Sequence, residues 1–186
     1  MIKISPTDAL VVVDVQNDFC PGGALPVPEG DRVVAPINIA AGLFREVVVT
    51  RDAHPANHVS FIAQGGHWSP HCVRGTPGWE LHPYLRVRTT YEVLKATDAE
   101  TDQYSGFTPD LREHLASQGV RRVFVAGLAL DYCVKATALD AKRAGFDTTV
   151  LTNATRAVNV RPGDDTRALD ELASAGVLTA LTLDLR

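Results

Sequence analysis

RRVFVAGLALDYCVKATALDAKRAG, residues 121–145, reads as a strand, a turn and a helix in direct succession. The run RRVFVAGL (121–128) is rich in Val and Leu, as a strand covered on both faces should be. From residue 131 to about residue 144 the pattern is helical, and Gly145 supplies a C-terminal stop. A strand that feeds directly into a helix is half of a β-α-β unit, so the fold depends on whether this step recurs.

It recurs along the chain. ALVVVDV (9–15), EVVVT (46–50), YEVLKA (91–96), DTTVLT (147–152) and VLTALTL (177–183) are further strand candidates. Helices are expected near 31–44, 107–118 and 164–175, with Gly119 and Gly176 as stops. Right-handed crossovers convert this rhythm into an α/β fold: a single domain, 1–186, with an open, mainly parallel six-stranded sheet and helices on both faces. Strand order stays open at this point. Residues 52–90 break the rhythm, being crowded with Pro, Gly, His and Trp, and a structured loop of that length is usually functional.

Composition narrows the functional classes. A length of 186 residues with 45% hydrophobic content allows one sizeable core. A net charge of -4 and a pI near 5.8 leave no basic field to gather phosphates, so no nucleic-acid partner is expected and a small, uncharged or weakly charged substrate fits better. The start MIKISPTDALVVVDVQ lacks the pattern of a secretory signal, and no apolar run approaches a membrane span, so a cytoplasmic protein without membrane contact is expected. Cys20, Cys72 and Cys133 are too few and too scattered for a disulfide framework and read as thiols.

In open α/β sheets ligands bind beyond the carboxyl ends of the strands. There the first run delivers Asp14, the second Asp52 and His54, the third Lys95, and the fourth leads through GLALDYC to Cys133. Taken singly, an Asp is a cap, a Lys a solvated surface group and a Cys a small buried hydrophobe. Their coincidence on one rim points instead to acyl transfer. Cys133 near a helix start is expected to have a lowered thiol pKa and to act as nucleophile. Asp14 would take its proton and later give it to a departing amine, while Lys95 orients the carboxylate. The turn GLALDYC could aim the N–H groups of Ala129 and Cys133 at a developing oxyanion.

VVVDVQNDFCPGG, VTRDAHPANHVSF, WSPHCVRGTPGWELHP, KATDAETDQYSGF and GLALDYCVKATALDA together resemble the successive motifs of nicotinamidases, in the isochorismatase-like cysteine hydrolase superfamily. The resemblance runs from about residue 9 to 160. It implies a Rossmann-like three-layer fold with a parallel six-stranded sheet, a catalytic triad of Asp14, Lys95 and Cys133, and a cis peptide at Leu128–Ala129. The implied reaction is hydrolysis of nicotinamide to nicotinate and ammonia through a thioester on Cys133, feeding salvage of the pyridine ring toward NAD. It also implies a divalent metal on Asp52, His54 and His71, with zinc first and iron or manganese as alternatives. The ion would capture the pyridine nitrogen and so position the carboxamide. Phe19, Trp68 and Tyr104, with Ala129, would wall the ring.

Other residues are left with plainer roles or none. His58 could complete the metal shell or only orient a ligand. Trp79 reads as loop packing, and Cys20 and Cys72 as structural thiols. The vinyl-ether hydrolases of the superfamily lack the D-x-H plus H set, which favours an amidase. Another small aromatic or carbamoyl amide, such as pyrazinamide, would need much the same triad. A non-catalytic metal or small-molecule module is the remaining alternative. Members of the family often self-associate, so a homo-oligomer is compatible with the resemblance.

Overall fold

The computed structural model describes residues 1–186. Strands β1 (Asp8–Val13), β2 (Glu46–Asp52), β3 (Tyr91–Lys95), β4 (Arg122–Leu128), β5 (Asp147–Arg156) and β6 (Leu178–Ala180) form one sheet in the order β3-β2-β1-β4-β5-β6. Every pairing is parallel. Helices α1 (Val34–Ala41), α2 (Pro109–Ser117), α3 (Lys135–Arg143) and α4 (Asp164–Ser174) cover the faces.

The two-residue period of the strands divides the core. Leu10 and Val12 of β1 pack with Ile37 and Ala40 of α1 on one face. Ala9, Val11 and Val13 point the other way, toward Leu111 and Leu115 of α2, Ala138 and Ala141 of α3, and Leu172 of α4. The two clusters hold 23 and 22 buried residues, so the sheet is covered about equally on both sides, and β1 carries only apolar side chains from Ala9 to Val13.

The strand order reverses between β1 and β4, which makes the gap beyond their carboxyl ends the topological switch point where doubly wound sheets bind ligands. Asp14 leaves the end of β1, and Cys133 follows β4. Lys95 is the last residue of β3 and stands in register with Asp52, the last residue of β2.

Element boundaries differ from the periodicity in several places; the helix expected from 131, for one, opens as a π-helical turn, Leu130–Val134, before α3. The helix expected over 31–44 starts as a 3-10 turn, Gly30–Val33, before α1. Pro36 is accommodated because the first turn of a helix does not use that N–H. β5 runs to Arg156, past a register shift opposite Val125 and Gly127. The last apolar run supplies only Leu178–Ala180 before a 3-10 turn, Thr182–Asp184, which Asn153 ties down by donating to Thr182 Oγ1 (2.8 Å) and accepting from Thr182 N (2.9 Å).

Gly127 sets the approach of β4 to β1. Its φ is +116°, and a Cβ there would lie 2.1 Å from the carbonyl oxygen of Val13. Gly127→Ala should therefore cost about 3 kcal/mol or more. Thermal unfolding followed by circular dichroism should show Tm lower by roughly 6–12 °C. A change under about 2 °C would mean that the strands do not press together at this point.

Candidate active site

The site is assembled where four neighbouring strands end. Asp14 is fully buried, and its backbone leaves β1 in the left-handed region, φ 49°. Its Oδ1 accepts a hydrogen bond from Thr50 Oγ1 at 2.6 Å, and its Oδ2 lies 2.9 Å from Lys95 Nζ as an ion pair. That contact is off the hydrogen-bonding direction, so Oδ2 has no hydrogen-bond partner. Lys95 Nζ also donates to Asp52 Oδ1 and lies 3.4 Å from Cys133 Sγ. Cys133 Sγ is within 4.8 Å of a carboxylate oxygen of Asp14 and one of Asp52. Thus the thiol, the ammonium and the two carboxylates, drawn from positions 14 to 133, share one buried cluster.

Burial and charge act against each other in this cluster. Burial opposes the Lys95 charge, but Asp14 and Asp52 outweigh it and hold the ammonium well above its ordinary pKa. Burial pushes the Asp14 carboxyl up, with Lys95 opposing. It also pushes the Cys133 thiol well above its ordinary value, again against the pull of Lys95. This corrects the expectation of a lowered thiol pKa at a helix start. Cys133 lies in a π-helical turn, Leu130–Val134, ahead of α3, where desolvation and two nearby carboxylates override the helix end.

The Leu128–Ala129 peptide is cis, as the resemblance implies. The Ala129 N–H has no acceptor in the chain, while its carbonyl oxygen accepts from Tyr132 N and Val134 N. Ala129 and Cys133 both line a small cavity of about 40 Å³, so a residue with an uncommitted donor and the sulfur-bearing residue border the same space. Phe19, Trp68 and Tyr104 line it too, together with Leu25, Val27, Tyr132 and Val158. Trp68 Nε1 donates to Tyr104 Oη at 3.2 Å, and Tyr132 sits edge-on to Trp68 at 5.2 Å. These three rings also border a wider depression outside, which includes Lys135, Arg161 and Glu171.

Asp52, His54 and His71 bring ligand atoms within 4.8 Å of one another, all buried. Both imidazoles are prepared as ligands. His54 Nδ1 donates to the His71 carbonyl at 3.0 Å, and His71 Nδ1 donates to the Ser69 carbonyl at 2.7 Å. A carbonyl can only accept, so Nδ1 carries the proton and Nε2 keeps its lone pair. Burial, reinforced by His71, holds His54 down to about 3, and burial lowers His71, so both rings are neutral near pH 7. The residues present therefore fit a divalent cation of the borderline class. His58 is different: its Nδ1 takes Ser60 N and Oγ, and its Nε2 donates to Thr101 O at 3.2 Å. Both nitrogens are used, and the ring supports His54 at 4.4 Å between centroids.

Several positioning groups were not singled out in the sequence. Thr50, at the end of EVVVT, orients Asp14. Asp18 accepts from Cys72 N (2.7 Å) and Ala24 N (3.0 Å), which pins the backbone next to His71. Tyr132 was within reach as the neighbour of Cys133, but Leu25 and Val27 lie in a stretch with no period to mark them. Trp79 stacks on Arg51, 4.1 Å from guanidinium carbon to ring centroid, in keeping with a packing role. Cys20 and Cys72 are free and buried; burial raises the first to about 11 and the second well above its usual value.

Fold and site define a doubly wound α/β protein built around a buried thiol, ammonium and carboxylate cluster. Residues 8–182 match the Isochorismatase domain, and the chain belongs to that family. It is 37% identical over 198 residues to the nicotinamidase of Escherichia coli, covering 92% of this chain and 93% of that protein. Among solved structures, the pyrazinamidase of Pyrococcus horikoshii in complex with zinc superposes with a TM-score of 0.88 at 43% identity, covering 95% of this chain and 99% of that one. PnC1 from L. infantum in complex with nicotinate gives a TM-score of 0.94 at 38% identity, covering 100% and 98%.

A thiol raised above its ordinary pKa is protonated through neutral pH, so its thiolate fraction should grow about tenfold per pH unit. Iodoacetamide labelling of Cys133, read by mass spectrometry, should accelerate accordingly between about pH 7 and 9 without levelling off. A plateau below about pH 8 would show a thiolate already formed at rest.

Proposed function

We propose that this protein hydrolyses nicotinamide to nicotinate and ammonia through a thioester on Cys133. The observation that carries the reading is the convergence of Cys133 Sγ, Lys95 Nζ and the Asp14 carboxylate in one buried cluster next to the Asp52, His54 and His71 ligand set, with Cys133, Asp52 and His71 lining one cavity. The relatives' names point to the same substrate class.

In this mechanism Asp14 is the base. With the carboxamide carbon against Cys133, Asp14 takes the thiol proton as the sulfur forms its bond to that carbon. The raised thiol pKa keeps the sulfur protonated until then. The carbonyl oxygen gains the electron pair and accepts from the Ala129 N–H, with the Cys133 N–H as second donor. Collapse breaks the C–N bond, the proton passes from Asp14 to the leaving nitrogen, and ammonia departs. Asp14 then takes a proton from water as its oxygen attacks the thioester. The C–S bond breaks, Asp14 returns its proton to sulfur, and the product leaves as the acid, which ionises in water to nicotinate. Lys95 remains charged throughout and holds Asp14 in place.

Asp52, His54 and His71 would hold a divalent ion, which would supply a Lewis acid for the pyridine nitrogen. Two imidazoles and a carboxylate suit zinc best. Phe19, Trp68, Tyr104 and Tyr132 sandwich the flat ring and exclude water, so binding at the far end turns the amide toward the sulfur. Reduced thiols and the small neutral substrate suit the cytoplasm, and no helix is long and apolar enough to cross a membrane.

Ammonia release from nicotinamide tests the reading. Cys133→Ala should lower kcat by at least about 10³-fold with the fold retained. Unchanged turnover in that variant would remove the covalent route. Chelated protein should lose rate mainly at low substrate and regain it at high substrate, the signature of a binding role for the ion. An equal loss at every concentration would assign the ion to the chemical step instead.

A further inference from the structure

We propose that Gln16 is a positioning residue for Asp52, its side-chain amide standing in for a missing strand residue at the end of β1. The proposal rests on the reading of Asp52 as a metal ligand.

In a parallel sheet, alternate residues of a strand turn their N–H and C=O toward the same neighbour. Ala53 N turns from the end of β2 to β3, donating to Lys95 O at 2.9 Å. Thr50 turns toward β1, and its carbonyl accepts from Asp14 N at 3.1 Å. Asp52 turns the same way two residues later, where β1 has already swung off through the left-handed Asp14 and offers no main chain.

Gln16 fills that place. Asp52 N donates to Gln16 Oε1 at 2.8 Å, and Gln16 Nε2 donates to Asp52 O at 2.9 Å. The second proton of Nε2 goes to Trp79 O at 2.8 Å, so both donors and the acceptor of the fully buried amide are engaged. The segment carrying it is held in turn, with Asn17 N donating to Glu80 O (2.9 Å) and His82 N to Val15 O (2.9 Å). Trp79, the other recipient, packs on Arg51, the residue before Asp52.

Asp52 is the one carboxylate that both contacts Lys95 and belongs with His54 and His71. Fixing its peptide therefore fixes the spacing between the metal-ligand set and the thiol cluster. Partners of metal ligands that act in this way typically contribute roughly ten- to hundredfold in metal affinity.

The test compares zinc titrations of metal-free protein with nicotinamide kinetics at saturating zinc. Gln16→Met, of similar length without hydrogen bonding, should weaken zinc binding by roughly ten- to hundredfold and raise KM more than it lowers kcat. Gln16→Glu retains an acceptor for Asp52 N and should fall between. Circular dichroism identifies folded variants. A folded Gln16→Met with unaltered zinc affinity overturns the proposal, and if that variant does not fold, Gln16→Glu decides by the same measurement. Loss of the fold in both overturns it in favour of a purely structural role. Asp52→Ala separates the two readings: if it binds zinc like the unaltered protein, the metal assignment itself fails, whereas binding that needs Asp52 and ignores Gln16 overturns only the present inference.

Discussion

The ammonium of Lys95 is buried among the strand ends and has to be neutralised there. It lies beneath the rim of the sheet with Asp14, Asp52 and Cys133 around it. An isolated charge at such depth would be prohibitively costly, and stripping one partner from a buried pair typically costs roughly 3 to 5 kcal/mol. The partners arrive from three other strand ends, so the cluster forms only when β3, β2, β1 and β4 lie side by side in that order. Sheet order and chemical competence are thus one requirement. Burial drives the Asp14 and Cys133 pKa values up against the pull of Lys95, and two carboxylates facing one ammonium make a neighbouring dication electrostatically favourable.

The backbone is bent where these groups are presented. Asp14, Cys72 and Ala96 take positive φ without being glycine, at 49°, 46° and 53°. The first is a cluster residue, and the other two directly follow His71 and Lys95. Conformations of this kind cost of order 1–3 kcal/mol each and persist where surroundings over-determine them. Those surroundings can be named: Thr50 and Lys95 hold Asp14, the Asp18 carboxylate holds Cys72 N, and Gln103 Oε1 accepts from Ala96 N at 3.1 Å. Each bend falls at, or directly after, a residue of the buried cluster or of the His71 ligand set.

The cavity divides its labour by residue type. Apart from His71, the polar functions come from the ends of strands or the residues just after them, where rigid elements limit their wander, and the apolar walls come mainly from loops. Trp68 arrives from the long 52–90 segment, Tyr104 from the connection before α2, and Tyr132 from the turn before α3. Three rings from three segments can enclose a flat heterocycle through area and shape, while the few polar contacts specify its orientation.

The alternation of strands and helices is legible in the residues alone, because periodicity is a local property that survives in a linear string. The sequence also placed Asp14, Asp52, Lys95 and Cys133 at the ends of apolar runs, and the likeness of its motifs added His71. Tertiary structure alone decided the strand order, the saturation of His58 by Ser60 and Thr101, and the closure of the cavity by Leu25, Val27 and Val158. It also reversed the expected shift of the Cys133 thiol. A helix start is visible in a string of letters, but the thiol's proton affinity depends on burial and on the carboxylates of residues 14 and 52. Those residues are more than eighty positions away in sequence and next to the sulfur only once the strands have been laid side by side.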